Sequence, residues 1–222
     1  MYPSFFSTKE SHTGPLLVVM AHPDDETINL GGIIAQASSK HIPVHVLCMT
    51  DGELGIHSAH SDKKALKRIR KKELLEAMSL LGVQDVDFAH IPDGEVYTHL
   101  SRAKNSILRT IRQVRPSAIF THDPSGKNGH PDHVATSLAI TQLYVSDTSK
   151  SISYYYVLPF KHNKTTALTI THEECILPFL SIKYTAIHVF QSQIIPEPNH
   201  TMKRRFSPAI YTERLHKLRD NF

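Results

Sequence analysis

Two short stretches each gather several residues able to do metal or acid–base chemistry. AHPDDE places His22, Asp24 and Asp25 together, and HPDH places His130, Asp132 and His133 together. His22 and Asp25 offer one nitrogen and one oxygen, both good zinc donors, and an irregular turn can bring residues three apart around one ion. A third donor must come from elsewhere, and the second cluster has histidines to supply it. Three protein ligands with a fourth position open is the catalytic zinc pattern, in which a bound water has its pKa lowered to about 7. Cysteine cannot be the donor set, because Cys48 and Cys175 are the only two in 222 residues, too few for a Cys-based zinc site or a disulfide framework. Read separately, each cluster is also a well-capped helix start, since Asp and Pro are favoured there. It is the pairing of two such clusters, each close behind an apolar run, that favours a metal.

Those apolar runs set the frame. Leu16 to Met20 (LLVVM) reads as a strand buried on both faces, ending directly in AHPDDE. Helical spacing over Thr27 to Ser39 and a β-rich run over Val44 to Met49 complete a βαβ unit. Residues 62–82 read as a helix stopped by Gly82, 86–89 as a short strand, 100–114 as a helix ending before Pro116, and Ser117 to Thr121 as a buried strand. The loop THDPSGKNG leads into HPDHVATSLAITQLY, a helix with Pro131 in its first turn. Strands alternating with helices predict an α/β fold with a mostly parallel sheet, helices on both faces, and one domain over 1–222. Such sheets bind ligands in the crevice at the carboxyl ends of their strands, where both clusters fall. Further on, Ser153 to Leu158, Thr169 to Thr171 and the segment around Ile187 each fit strand or helix edge, and Ile195 to Met202 fits a surface loop.

Charge adds one feature. The net charge is +4, yet seven basic residues lie between Lys63 and Lys72, and the remaining 18 face 21 acidic residues. The run KKALKRIRKK is thus a solvated helix face and not a nucleic-acid footprint. Arg70 and Glu73 are exceptions, because helical spacing from Leu66 puts both near the inward line with Ala77 and Leu81. They are either a structural ion pair, or Arg70 enters the crevice to meet substrate. Asp51 and Asp93, in loops after strands, fit contacts to sugar hydroxyls or turns. Cys48 reads as a small buried hydrophobe, and Tyr154 to Tyr156 as strand aromatics.

AHPDDE and GHPDH after their strands resemble the zinc-dependent N-deacetylases of the LmbE and PIG-L type. TDGE (Thr50 to Glu53), the stretch from Arg70 through Glu73 to Leu81-Gly82, Pro92-Asp93-Gly94 and THDP (Thr121 to Pro124) follow in the family's order. The likeness is strongest over residues 16–143. Later, Lys183, Ala186 and Ser192-Gln193 echo the family, and Phe190 stands where many members have His. The resemblance implies a Rossmann-like fold and removal of acetyl from an N-acetylglucosamine unit joined to a second group. It makes His22, Asp25 and His133 the zinc ligands, Asp24 the general base and His130 the electrophilic helper, and it favours a substrate contact for Arg70. Asp132 either hydrogen-bonds the His130 ring and keeps it charged or serves as an acid at the helix N-terminus.

The expected partner is a small N-acetylated sugar conjugate, with Zn2+ as cofactor. A zinc amidohydrolase acting on another acylated metabolite would use the same machinery. A nucleotide-binding module is disfavoured, because Asn29-Leu30-Gly31-Gly32 is not a GxGxxG turn. With no apolar run near the ~20 residues of a membrane span and few cysteines, a soluble cytoplasmic protein is expected. Assembly into homo-oligomers is common in the resembled family.

Overall fold

A computed structural model describes residues 2–7, 14–55, 62–149, 151–158, 168–193 and 212–218. Its strands are β1 (Leu16–Met20), β2 (Val44–Thr50), β3 (Asp85–Ile91), β4 (Ala118–His122), β5 (Ser153–Leu158), β6 (His172–Cys175) and β7 (Thr212–Lys217). They form one sheet in the order β3-β2-β1-β4-β5-β7-β6. Neighbours from β3 to β5 are parallel, and β7 runs antiparallel to both β5 and β6. The chain builds outward from β1 through β2 to β3, then returns to place β4 on the other side of β1. That reversal opens a crevice between the carboxyl ends of β1 and β4.

Helices α1 (Asp25–Ser39), α2 (Lys63–Leu80), α3 (Leu100–Val114), α4 (Gly126–Gly129), α5 (Pro131–Ser146) and α6 (Leu180–Ile187) cover the sheet. Alternation along β1 and β2 divides the core. Leu16, Val18, Met20, Val46 and Cys48 pack with side chains of α1, α2 and α6 on one face. Leu17, Val19, Leu47 and Met49 pack with α3 and α5 on the other. Cys48 is indeed a core hydrophobe, and burial pushes its thiol well above the ordinary range. The tyrosines 154–156 are strand aromatics of β5. Phe190 is buried in the core face shared by α1, α2 and α6.

Several boundaries differ from the sequence expectation. Helix α1 starts at Asp25, two residues earlier, because the Asp24 backbone already accepts the Ile28 N–H at 2.9 Å. The loop after β4 contains the single turn α4. Residues 169–171 are not a strand, and the Ile187 region is the end of α6. The strand after Thr171 is HEEC, whose polar side chains hide its character. Its Glu174 is buried because it accepts from the Ser4 hydroxyl and the Phe5 N–H. The expected loop at Ile195 to Met202 lies outside the described residues.

The carboxyl-terminal strand also grips α1. Glu213 accepts the Gly32 and Ile33 N–H groups at 2.8 and 2.7 Å, and Lys183 on α6 completes the cluster at 2.6 Å. Both charged side chains are 2% exposed. Lys183→Ala is expected to destabilise the protein by about 3–5 kcal/mol, the cost of leaving one buried partner uncompensated, read as a lowered denaturation midpoint with an unchanged slope.

Candidate active site

The β1–α1 turn and the start of α5 converge on the crevice. His22 Nδ1, Asp25 Oδ2 and His133 Nε2 form a triangle with edges of 3.1, 3.1 and 3.3 Å. Zinc bonds of about 2.0–2.1 Å set tetrahedral donors roughly 3.3 Å apart, so this triangle fits zinc. Each ring nitrogen is selected by its opposite side. His22 Nε2 faces Asp93 Oδ1 and Asp132 Oδ2, both at 3.1 Å, and the His133 Nδ1–H donates to the Gly126 carbonyl at 3.2 Å. Such outer bonds fix the tautomer and aim the free nitrogen inward. Three other groupings, His22 with His130 and His133, Asp25 with His122 and His133, and His22 with Asp93 and Asp132, also bring donor atoms within 4.8 Å.

The electrostatics suit a cation. Burial acts to lower the His22 imidazole, but Asp132, Asp25 and Asp93 outweigh it and hold it well above its ordinary value. Burial acts to raise Asp25, but His122 and His133 outweigh it and hold that carboxyl well below the usual range. His122, at the end of β4, is a site residue that sequence reasoning named only within the THDP segment. Its ring stacks on His133 at 4.0 Å and 5°, and its Nε2 accepts the Ala21 N–H at 3.1 Å. Burial lowers it to about 4.

Asp24 has φ 128°, a strained value for a non-glycine residue costing about 1–3 kcal/mol. Arg70 braces this turn. Its guanidinium donates to the Pro23 carbonyl at 2.5 Å and the Gly52 carbonyl at 3.1 Å, and lies 3.3 Å from Asp24 Oδ2. Gly52 has φ +74°, and a Cβ there would come within 2.6 Å of Arg70 Nη1, so glycine is required for this approach. Burial raises the Asp24 carboxyl to about 6 even though Arg70 pulls it down. The Arg70–Glu73 ion pair considered from the sequence is not formed. Glu73 instead accepts the N–H and hydroxyl of Ser192 at 2.7 and 2.5 Å, because the two side chains leave α2 toward different neighbours.

His130 stands beside the triangle, its ring centre 4.6 Å from that of His22 and 4.7 Å from that of His133. Its Nδ1 accepts the Asp132 N–H at 3.3 Å, which leaves the proton on Nε2. Here the structure corrects the sequence expectation for Asp132. Its carboxylate turns from the His130 ring to His22 Nε2, and it accepts the Gly94 and Val96 N–H groups at 2.7 and 3.0 Å. Burial, with His22 and His133 nearby, holds His130 below its ordinary value. Asp93 is likewise engaged, with one oxygen on His22 and the other accepting the Leu54 N–H at 2.9 Å. Asp51 is engaged by Lys67 at 2.5 Å, His90 at 2.9 Å and Lys71 at 3.9 Å.

The chain is similar to known deacetylases. A probable N-acetyl-alpha-D-glucosaminyl L-malate deacetylase 2 from Bacillus anthracis is 24% identical over 200 residues, 88% of each chain. A 1D-myo-inositol 2-acetamido-2-deoxy-alpha-D-glucopyranoside deacetylase from Rhodococcus erythropolis is 36% identical over 145 residues, 54% of this chain and 49% of that one. The chain thus spans about half the length of that relative. The solved N,N'-diacetylchitobiose deacetylase from Pyrococcus horikoshii superposes with a TM-score of 0.72 at 25% identity, over 92% of this chain and 83% of that one. Residues 17–144, which run from β1 through both clusters, match the family PIG-L, GlcNAc-PI de-N-acetylase, and the chain belongs to that family.

Proposed function

We propose that the protein is a zinc-dependent hydrolase that removes the N-acetyl group from an N-acetylglucosaminyl conjugate. The observation that carries this reading is the triangle of His22 Nδ1, Asp25 Oδ2 and His133 Nε2, with Asp24 and His130 beside it. His22, Asp25 and His133 would hold the zinc, which would supply a Lewis acid for the amide oxygen and lower the pKa of a water. Asp24, raised to about 6 by burial, is poised as the general base that takes the water's proton near neutral pH. Arg70 is a positioning residue that holds Asp24 and its strained turn. The Nε2–H of His130 donates to the amide oxygen as negative charge develops on it. Asp24 then returns the proton to the departing amine nitrogen. Asp93 and Asp132 orient the His22 ring, and Asp51 gathers Lys67, Lys71 and His90, so these three carboxylates act on the protein and not on sugar hydroxyls.

We further propose one domain over 1–222 and a reducing, cytoplasmic setting, consistent with the free thiols of Cys48 and Cys175. No helix among the described residues is long and apolar enough to cross a membrane. Acetate release from a panel of N-acetylglucosamine conjugates tests the activity, and release from none of them by zinc-loaded protein overturns it.

The role of Arg70 has its own test. Arg70 holds the Asp24 carboxyl down, so Arg70→Ala should raise the pKa of the base. A base works deprotonated, so the acid limb of the kcat/KM profile should move to higher pH and kcat should fall more than KM rises. A raised KM with an unmoved acid limb would return Arg70 to substrate contact.

A further inference from the structure

The structure divides the seven basic residues between Lys63 and Lys72 into two groups. Lys67 and Lys71 turn to Asp51 at 2.5 and 3.9 Å, and Arg70 braces the turn at Pro23 and Asp24. Lys63, Lys64, Arg68 and Lys72 are exposed, and their side chains have no ion-pair partner among the described residues. Lys64, Arg68 and Lys72 follow one another at four-residue steps along the outward side of α2, and Leu75, 47% exposed, continues the same line. Arg70 is two residues, about 200°, from both Arg68 and Lys72, so the line lies on the side of the helix opposite the crevice contact. Its start is nevertheless at the carboxyl edge of the sheet, because Lys67 reaches Asp51 directly after β2. The line is unfavourable in the isolated chain on two counts. Like charges at i and i+4 repel. Lys63 and Lys64 also fill the first turn of α2, the end that the peptide dipoles make positive, with no acidic residue in that turn beyond the capping Asp62.

We propose that this face of α2 docks the protein reversibly on an anionic lipid surface. Acidic headgroups lie in one plane and meet Lys64, Arg68 and Lys72 together, which offsets both repulsions, while Leu75 enters the apolar boundary beneath the headgroups. A nucleic acid fits this face less well. It offers Leu75 no apolar partner, and outside the run 18 basic residues face 21 acidic ones, so a polyanion that extends past the helix meets a net negative surface. Docking leaves the crevice open, since Arg70 leaves α2 on the far side from the contact. The lipid surface is therefore a partner for the outside of the fold, and its binding does not depend on the reaction assigned to the crevice.

The test is co-sedimentation of the full chain with vesicles of phosphatidylcholine alone and of phosphatidylcholine with phosphatidylglycerol in equal parts, at low and at high salt. Wild type is expected to bind the anionic vesicles, to ignore the neutral ones, and to be released by salt, which shortens the reach of exposed charges to about 3 Å at 1 M. Each cation near an anionic surface contributes about fivefold in affinity. A chain carrying Lys64→Glu, Arg68→Glu and Lys72→Glu together, with the melting temperature of wild type, should therefore bind at least about 100-fold more weakly. If that chain does not fold, Lys64→Gln, Arg68→Gln and Lys72→Gln made singly should each weaken binding about fivefold. Wild type that ignores the anionic vesicles, binding that survives these substitutions, or binding to an RNA homopolymer without binding to the vesicles overturns the proposal. Acetate release is a separate measurement, so each of those results leaves the deacetylase reading standing.

Discussion

Asp24→Asn is expected to keep its zinc and lose turnover by about 100- to 10,000-fold, whereas Asp25→Asn should lose the zinc itself. The two carboxylates are sequence neighbours, but the turn sends them in different directions. Asp25 Oδ2 is a corner of the donor triangle, 3.3 Å from His22 Nδ1 and 3.1 Å from His133 Nε2. Asp24 is turned toward Arg70. An Asn at 24 preserves shape but cannot accept the water's proton. An Asn at 25 removes a charged donor, so added zinc should restore part of its activity. Metal content and turnover measured on both variants decide the assignment, and an Asp24→Asn protein without zinc beside an Asp25→Asn protein that holds it reverses the two roles.

Asp132→Ala is expected to weaken zinc binding by about 10- to 100-fold, the usual effect of removing a partner that orients a metal-binding histidine. The carboxylate holds His22 Nε2 and, through two backbone N–H groups, the loop at Gly94 and Val96. Asp93 shares His22 Nε2, which is why the loss should be graded and not complete. Competition against a chelator of known zinc affinity measures it. Unchanged affinity with a displaced His130 titration would show that Asp132 serves His130 after all, one of the two roles open to it from the sequence.

The contrast between those residues shows where sequence reading reached its limit. The parallel frame was legible because β1 is a continuous apolar run and β4 opens on one, Ala118 to Phe120, and their ends place both clusters at one crevice. Residue types in AHPDDE and HPDH, read with the family resemblance, were enough to bring His22, Asp25 and His133 together as candidates. Long-range pairing was not legible. Nothing local indicates that Asp132 reaches His22, that Asp93 meets it from the loop after β3, or that Glu73 turns to Ser192 and leaves Arg70 to Asp24. Each depends on loop conformation and on contacts across the sheet. The antiparallel edge was obscure for a related reason, since HEEC and TERLHK are polar strands whose charges are satisfied by Ser4, Arg214, Lys183 and the α1 backbone. His122 was hidden because its part is a ring stacked on His133, which no spacing rule encodes.

The central claim is that one zinc sits on His22, Asp25 and His133, although Asp25 and His133 also approach His122. Elemental analysis of purified wild type, His22→Ala and His122→Phe tests this directly. The expected result is about one zinc per chain in wild type, retention in His122→Phe and loss in His22→Ala. Zinc retained in His22→Ala and lost from His122→Phe would contradict it.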